Sequence, residues 1–167
     1  MVNTNFLKNI EIFKGLDETG YTKLANITVE KTYKPGDYVV RKGDPSDALY
    51  ILVEGICDVK IEYGDKKQFT IHKLNSGDVF GEIGFIDGRP RSADIVAVEP
   101  SKVVALHREV LWDFAKSNPE IGLKIMHNLT QEICERMRHT NEQFNKFYMK
   151  AKIKDESVWE HSWKWWL

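Results

Sequence analysis

The stretch Gly77-Asp78-Val79-Phe80-Gly81-Glu82-Ile83-Gly84-Phe85-Ile86-Asp87-Gly88-Arg89-Pro90-Arg91-Ser92-Ala93 is the most informative part of the chain. It predicts a strand ending at Phe80 that runs into a single helical turn after Gly81-Glu82. A turn opening there leaves backbone N–H groups without intrahelical partners, a place of partial positive charge suited to an anion. Gly81 and Gly84 allow close backbone approach. Arg91, behind the rigid Pro90, offers a planar fork of donors to a phosphate, and Ser92 adds a hydroxyl beside it. Glu82 would repel a phosphate, so it makes sense facing a sugar hydroxyl, as an acidic residue does for ribose in dinucleotide folds. One phosphate, one hydroxyl pair and a glycine-bearing turn point to a compact nucleotide.

Around this stretch, from Val29 to His107, the texture is β. The runs TVEKTY, DYVVRKG, LYILVEGICDVKIEY, KQFTIHKL, DVFGEIGF, RSADIVAVE and KVVALH alternate with turn signals such as Pro35-Gly36, Gly43-Asp44-Pro45, Gly64-Asp65 and Asn75-Ser76-Gly77. Strands of this length between Gly/Pro punctuation predict an antiparallel sandwich or barrel. No internal repeat interrupts it.

Helical spacing frames the β region. Phe6, Leu7, Ile10, Phe13, Leu16, Tyr21, Leu24 and Ile27 predict two short helices broken at Lys14-Gly15, within an N-terminal segment 1–28. A C-terminal helical segment covers 108–150. Arg108–Ser117 predicts one short helix, ended by Asn118-Pro119, and a longer one runs from Glu120 to about Lys150. Met126, Leu129, Ile133, Met137, Thr140, Phe144, Phe147 and Ala151 keep one face of it. The first half of that stripe fits packing on the chain's own barrel. The second half is too long for such cover and favours a helix–helix seam between two copies.

The composition sets outer bounds. The chain has 167 residues, and Lys+Arg 24 against Asp+Glu 25 leaves a net charge of −1, which disfavours a uniformly basic nucleic-acid binder. A chain this long buries a core without disulfides. No apolar run of about 18 residues predicts a membrane span, and the N-terminus lacks the pattern of a signal peptide. Cys57 and Cys134 form no CxxC motif, so a reduced, cytoplasmic setting is expected, with Cys57 a core thiol.

The stretch from Phe80 to Ala93 resembles the phosphate-binding cassette of the cyclic nucleotide-binding domain family. Pro35-Gly36-Asp37, Arg41-Lys42-Gly43-Asp44, the segment Ala48–Gly55 and Asn75–Asp78 sit where that family has its β-roll turns, so the likeness extends from about Phe6 to Met137. The resemblance implies a mainly β fold with flanking α: an antiparallel β-roll (double-stranded β-helix, or jelly roll) over 29–107, with the cassette at 80–93. It implies that Glu82 binds the ribose 2′-hydroxyl and Arg91 the cyclic phosphate. Ser92 would contact the phosphate or a guanine amino group. Backbone amides of the turn at Gly81, Glu82 and Ile83, and that of Ala93, would complete the phosphate shell. Val59 and Ile71 would lie against the base. Asp94 stands where the family often has Thr or Asn, and an inward Asp94 would compete with the phosphate for Arg91. In the family the long C-terminal helix closes over the base. Arg136, with Thr140 one turn further on, falls near that position, and Arg136 is otherwise a solvated helix arginine beside Glu132.

The expected function is therefore a regulatory sensor for a cyclic mononucleotide, cAMP ahead of cGMP, signalling by movement of its C-terminal helices. A homodimer through the C-terminal helix and an unidentified downstream protein are the expected partners. The alternative is a β-roll without ligand that serves as a structural or interaction domain. Neither a metal nor catalysis is expected: His72, His107, His127, His139 and His161 lack ligand spacing, and no nucleophile elbow is present. The family's transcription factors carry a helix-turn-helix after the long helix, for which the residues beyond Lys150 are too few, so direct sequence-specific DNA reading is not expected. The tail 151–167 holds four of the five tryptophans. A helical tail would gather Trp159, Trp163 and Trp166 on one face, for a partner or for packing back on the domain; with few lysines, membrane contact is disfavoured.

Overall fold

The computed structural model describes residues 2–63 and 67–152. The chain divides between Leu129 and Thr130 into two units.

The first unit opens with capped helical pieces. Asn3 caps α1 (Thr4–Lys8), its side chain accepting from the Asn5 N–H at 2.9 Å. Asp17 caps α2 (Glu18–Asn26), its carboxylate accepting from the Gly20 N–H at 2.7 Å. Between them lies a 3-10 turn, Glu11–Phe13. The segment thus holds three pieces where helical spacing predicted two. Ile10 takes an extended backbone (φ −88°, ψ 123°), which ends the first helix. Leu7, Ile10 and Phe13 are nevertheless all buried, so apolar spacing could not reveal the break.

Eight strands follow: β1 (Val29–Tyr33), β2 (Tyr38–Val40), β3 (Ala48–Glu54), β4 (Cys57–Tyr63), β5 (Lys67–Leu74), β6 (Val79–Phe80), β7 (Asp94–Ala97) and β8 (Ser101–His107). They form two four-stranded sheets, ordered β1-β8-β3-β6 and β2-β7-β4-β5, and every pairing is antiparallel. Helix α3 (Glu82–Asp87) fills the gap between β6 and β7, and α4 (Arg108–Ser117) and α5 (Pro119–Lys152) come after β8. These are antiparallel β-sheets with flanking helices and a long C-terminal helix, the fold class read from the sequence.

Strand alternation divides the burial. Ala48, Tyr50 and Leu52 of β3 and Val103 and Ala105 of β8 join Val39, Val40, Cys57, Leu74, Phe80, Ile95 and Ala97 in one core. The residues between them, Leu49, Ile51, Val104 and Leu106, are also buried, with Leu49 paired to Leu106 and Ile51 to Val104. Helix α3 packs on β3 and α4 on β8, which covers that second face. Cys57 is fully buried, and burial pushes its thiol above the usual range.

One strand starts later than its sequence suggests. The run from Arg91 to Glu99 enters the ladder only at Asp94. Arg91 is held away by the turn at Gly43-Asp44, donating to the Asp44 carbonyl and accepting from the Gly43 N–H, both at 2.9 Å. Arg91 is therefore buried while Ser92 is exposed.

Asn128 of α5 ties the first unit together, its side-chain amide donating to the carbonyls of Ile12 (3.3 Å) and Lys14 (3.0 Å). In the second unit, α5 continues with Arg136 paired to Glu132 at 3.0 Å and the Thr140 hydroxyl donating to the Arg136 carbonyl at 2.8 Å. Met137, Phe144 and Phe147 are exposed there. No described helix is long and apolar enough to cross a membrane. The tryptophans expected to share a face, Trp159, Trp163 and Trp166, lie outside the described residues.

Candidate functional site

The strand β6 delivers Phe80 to the core and then the backbone turns left-handed at Gly81 (φ 76°, ψ 12°), which caps α3. A β-carbon is disfavoured in that conformation, and one at Gly81 would also overlap Arg91 Nη1. Glu82 opens α3 and is only 8% exposed. Two residues on, Gly84 presses against Ser46: a β-carbon there would stand 2.5 Å from Ser46 Cβ and 2.9 Å from the Arg89 carbonyl. Both glycines are required by close approach.

Arg91 returns from the far end of the cassette to this turn. It is 6% exposed. Its Nη1 donates to the Gly81 carbonyl (2.9 Å) and its Nη2 to the Ala48 carbonyl (2.6 Å). The guanidinium lies 5.2 Å from the centre of the Tyr50 ring, which itself stacks on Phe80 at 5.4 Å. Burial pushes the Tyr50 phenol up, and the Arg91 charge partly offsets this. Asp47, at 3.8 Å and mostly exposed, is a loose ion partner. The remaining nitrogen, Nε, is buried without a hydrogen-bond partner among the described residues. An unsatisfied buried cationic donor is costly, and an incoming anion would remove that cost.

The structure thus brings Gly81, Glu82 and Arg91 together around one turn. Ile83 is exposed on α3, Ser92 is exposed, and Ala93 is half-buried just before β7. Asp94 does not pair with Arg91: its carboxylate accepts from the Lys42 N–H (2.7 Å) and from the Gln68 amide (3.1 Å). Val59 is half-buried against the core and stands opposite His72 across β4 and β5. Ile71 is the extra residue where that register slips, and is 57% exposed. Arg136 and Thr140 belong to the second unit. Among the described residues no three His, Cys, Asp or Glu side chains gather as metal ligands.

Three contributors were not legible in the sequence. Tyr50 gives Arg91 an aromatic face, and the carbonyl of Ala48 anchors its Nη2. The third, Arg108, donates to the Ser46 carbonyl at 2.6 Å and to the Gly84 carbonyl. Backbone carbonyls leave no residue-type signal, and Arg108 reads locally as a helix start.

Comparisons with known proteins bear on the family and the fold. The family model described as cyclic nucleotide-binding domain matches residues 30–118. The cGMP-dependent protein kinase of Toxoplasma gondii is 37% identical over 109 residues, which are 65% of this chain but 10% of that kinase. Among solved structures, a cyclic nucleotide-binding domain from Methylobacillus flagellatus superposes with a TM-score of 0.75 at 26% identity, covering 84% of this chain and 79% of that one. The regulatory domain of Toxoplasma gondii PKA, crystallised with cAMP, gives a TM-score of 0.66 at 28% identity, covering 79% and 48%. The matched region runs from within β1 to the end of α4 with the whole turn from Gly81 to Arg91 inside it, and the chain belongs to the cyclic nucleotide-binding domain family.

Proposed function

We propose that this chain is a non-catalytic regulatory sensor that binds a cyclic mononucleotide, cAMP in preference to cGMP, and signals by movement of its C-terminal helices. The observation that carries the reading is Arg91, almost wholly buried, fixed by two carbonyls and with an Nε that has no hydrogen-bond partner among the described residues. A cyclic phosphate satisfies that nitrogen. Glu82, at the opposite end of the same turn, takes the ribose 2′-hydroxyl, and the backbone N–H groups from Gly81 to Ile83, with Ser92 and Ala93, complete the phosphate surround. Val59 and Ile71 offer the base apolar contact. Adenine suits such a wall better than guanine, whose extra carbonyl and amino group need polar partners. Arg136 of the long helix supplies a stacking or donating side chain to the base.

Binding biases the helices only if their position changes the affinity. The remaining expectations belong to the same proposal: a homodimer seam along α5, an unidentified protein partner downstream, and a cytoplasmic setting in which Cys57 and Cys134 stay free thiols. Calorimetric titration of the purified protein with cAMP, cGMP and a cyclic dinucleotide tests the core of it. The expected result is binding of cAMP, weaker binding of cGMP, and none of the dinucleotide. Silence toward all three overturns the sensor reading in favour of a β-roll that serves as an interaction domain.

A further inference from the structure

A second arginine grips the cassette turn. Arg108, the first residue of α4, donates through Nη2 to the carbonyls of Ser46 and Gly84. Its backbone N–H donates to the Asp47 carbonyl at 2.8 Å, and its guanidinium lies 6.0 Å from the centre of the Phe85 ring. Arg91 makes the same kind of bridge two residues further along the chain, from Ala48 at the start of β3 to Gly81. Each arginine ties one carbonyl of the segment around Ser46–Ala48 to one carbonyl of the cassette.

The cassette needs such ties. Helix α3 has 6 residues, closed by bonds such as Phe85 N–H to the Gly81 carbonyl (3.1 Å) and Gly88 N–H to the Gly84 carbonyl (3.0 Å). A helix that short does not hold itself in water. The Gly84 carbonyl accepts from both the Gly88 N–H and Arg108, which uses both of its lone pairs. The Ser46 side chain, packed against Gly84, leaves that residue no room to shift toward it. Arg108 itself lines a cavity of about 690 Å³ with Gly43, Pro45, Gly88 and Val110, a cavity lined by neither Glu82 nor Arg91.

We infer that Arg108 is a positioning residue for the nucleotide site: by holding the Gly84 carbonyl it fixes the first turn of α3, and with it the Glu82 carboxylate, without contact to the ligand. The inference rests on the binding reading above and assigns Arg108 a share in reading the ribose. Removing it loosens the short helix that carries Glu82, so the loss falls on the interaction that needs Glu82 in place.

The test is calorimetric titration of the wild-type chain, Arg108→Ala and Arg108→Lys with cAMP and with 2′-deoxy-cAMP, alongside thermal melts. Arg108→Ala should weaken cAMP binding roughly 10- to 150-fold, the range for losing a charge-assisted hydrogen bond. It should weaken 2′-deoxy-cAMP much less, so that the ratio between the two ligands falls toward unity. Arg108→Lys, which keeps the charge and a nitrogen donor but loses the planar guanidinium that aims it, should fall in between, and it carries the test alone if Arg108→Ala does not fold. A merely structural role lowers the melting temperature and weakens both ligands by one factor. That result, or unchanged affinities, overturns the inference. Wild-type protein that binds neither ligand overturns the reading of the site itself.

Discussion

The Arg91 Nη1 stands 2.9 Å from the Gly81 carbonyl, in space that a β-carbon on Gly81 would occupy. The missing side chain of one residue is therefore the seat of the other. Gly81 also holds φ at 76°, a conformation that costs an L-residue about 1–2 kcal/mol. Gly81→Ala should strain the turn and displace the guanidinium together. We expect cAMP affinity to fall roughly 10- to 100-fold, at about 1.4 kcal/mol per decade. A titration in which Gly81→Ala matches the parent would show that the turn does not seat Arg91 in solution.

The arginine itself should matter more. Truncating one member of a buried charge pair costs about 2–5 kcal/mol, so Arg91→Ala should weaken cAMP binding by roughly 30- to 3000-fold. Arg91→Lys should recover only part, since a point charge cannot reach two carbonyls and a phosphate with fork geometry. Glu82→Ala should cost less, about 1.5–3 kcal/mol, and should narrow the preference for cAMP over its 2′-deoxy analogue. Arg91→Ala should leave that preference largely intact. If Arg91→Ala binds cAMP as tightly as the parent, the phosphate assignment fails.

The sequence shows the parts that are written in residue types. Glycine, glutamate and arginine around one turn are visible because each is chemically unusual at its place, and the strands are visible as seven β-rich runs between turn signals, one of which holds both β3 and β4. What it hides are long-range meetings. That Arg91 lies on Tyr50, and that Ser46 fills the space beside Gly84, depends on β3 lying next to β6, a pairing separated by some thirty residues of chain. The late start of β7 and the register slip at Ile71 are equally invisible, because they follow from backbone bonds across the roll. The break at Ile10 is hidden for a different reason, since its side chain is buried whether or not the helix continues.

The contact between Ser46 and Gly84 gives a paired test. Gly84→Ala would drive a methyl group into the Ser46 side chain and close to the Arg89 carbonyl. Overpacking of this kind costs about 1–3 kcal/mol. Ser46→Gly removes the first obstacle and not the second, so the double variant should recover part of the melting temperature and of the cAMP affinity lost by Gly84→Ala. Losses that simply add would mean that the two residues do not meet in solution.

The two thiols should differ in reactivity. Cys57 is fully buried with its thiol pushed up by burial, which lowers the thiolate fraction that reacts, while Cys134 is half-buried. A disulfide reagent at neutral pH should therefore label Cys134 first and Cys57 only on unfolding. Cys134→Ser should remove the fast phase. Two equivalent fast thiols would contradict the packing of β4.

The last prediction concerns the second unit. Met137, Phe144 and Phe147 leave apolar surface exposed along α5, with Phe147 at 70%. The sequence stripe puts all three on one helical face, and a face that apolar is costly in water at about 25 cal/mol per Å². A parallel helix–helix seam between two copies would bury it, since a repeat of three and four residues is the spacing that such seams use. The wild-type protein should then sediment as a dimer at micromolar concentration. Met137→Asp combined with Phe144→Asp would place charges in the seam and should give monomers. Those monomers should still bind cAMP, because neither residue belongs to the turn that holds Gly81, Glu82 and Arg91. Wild-type protein that sediments as a monomer would end the seam proposal and leave the nucleotide site untouched.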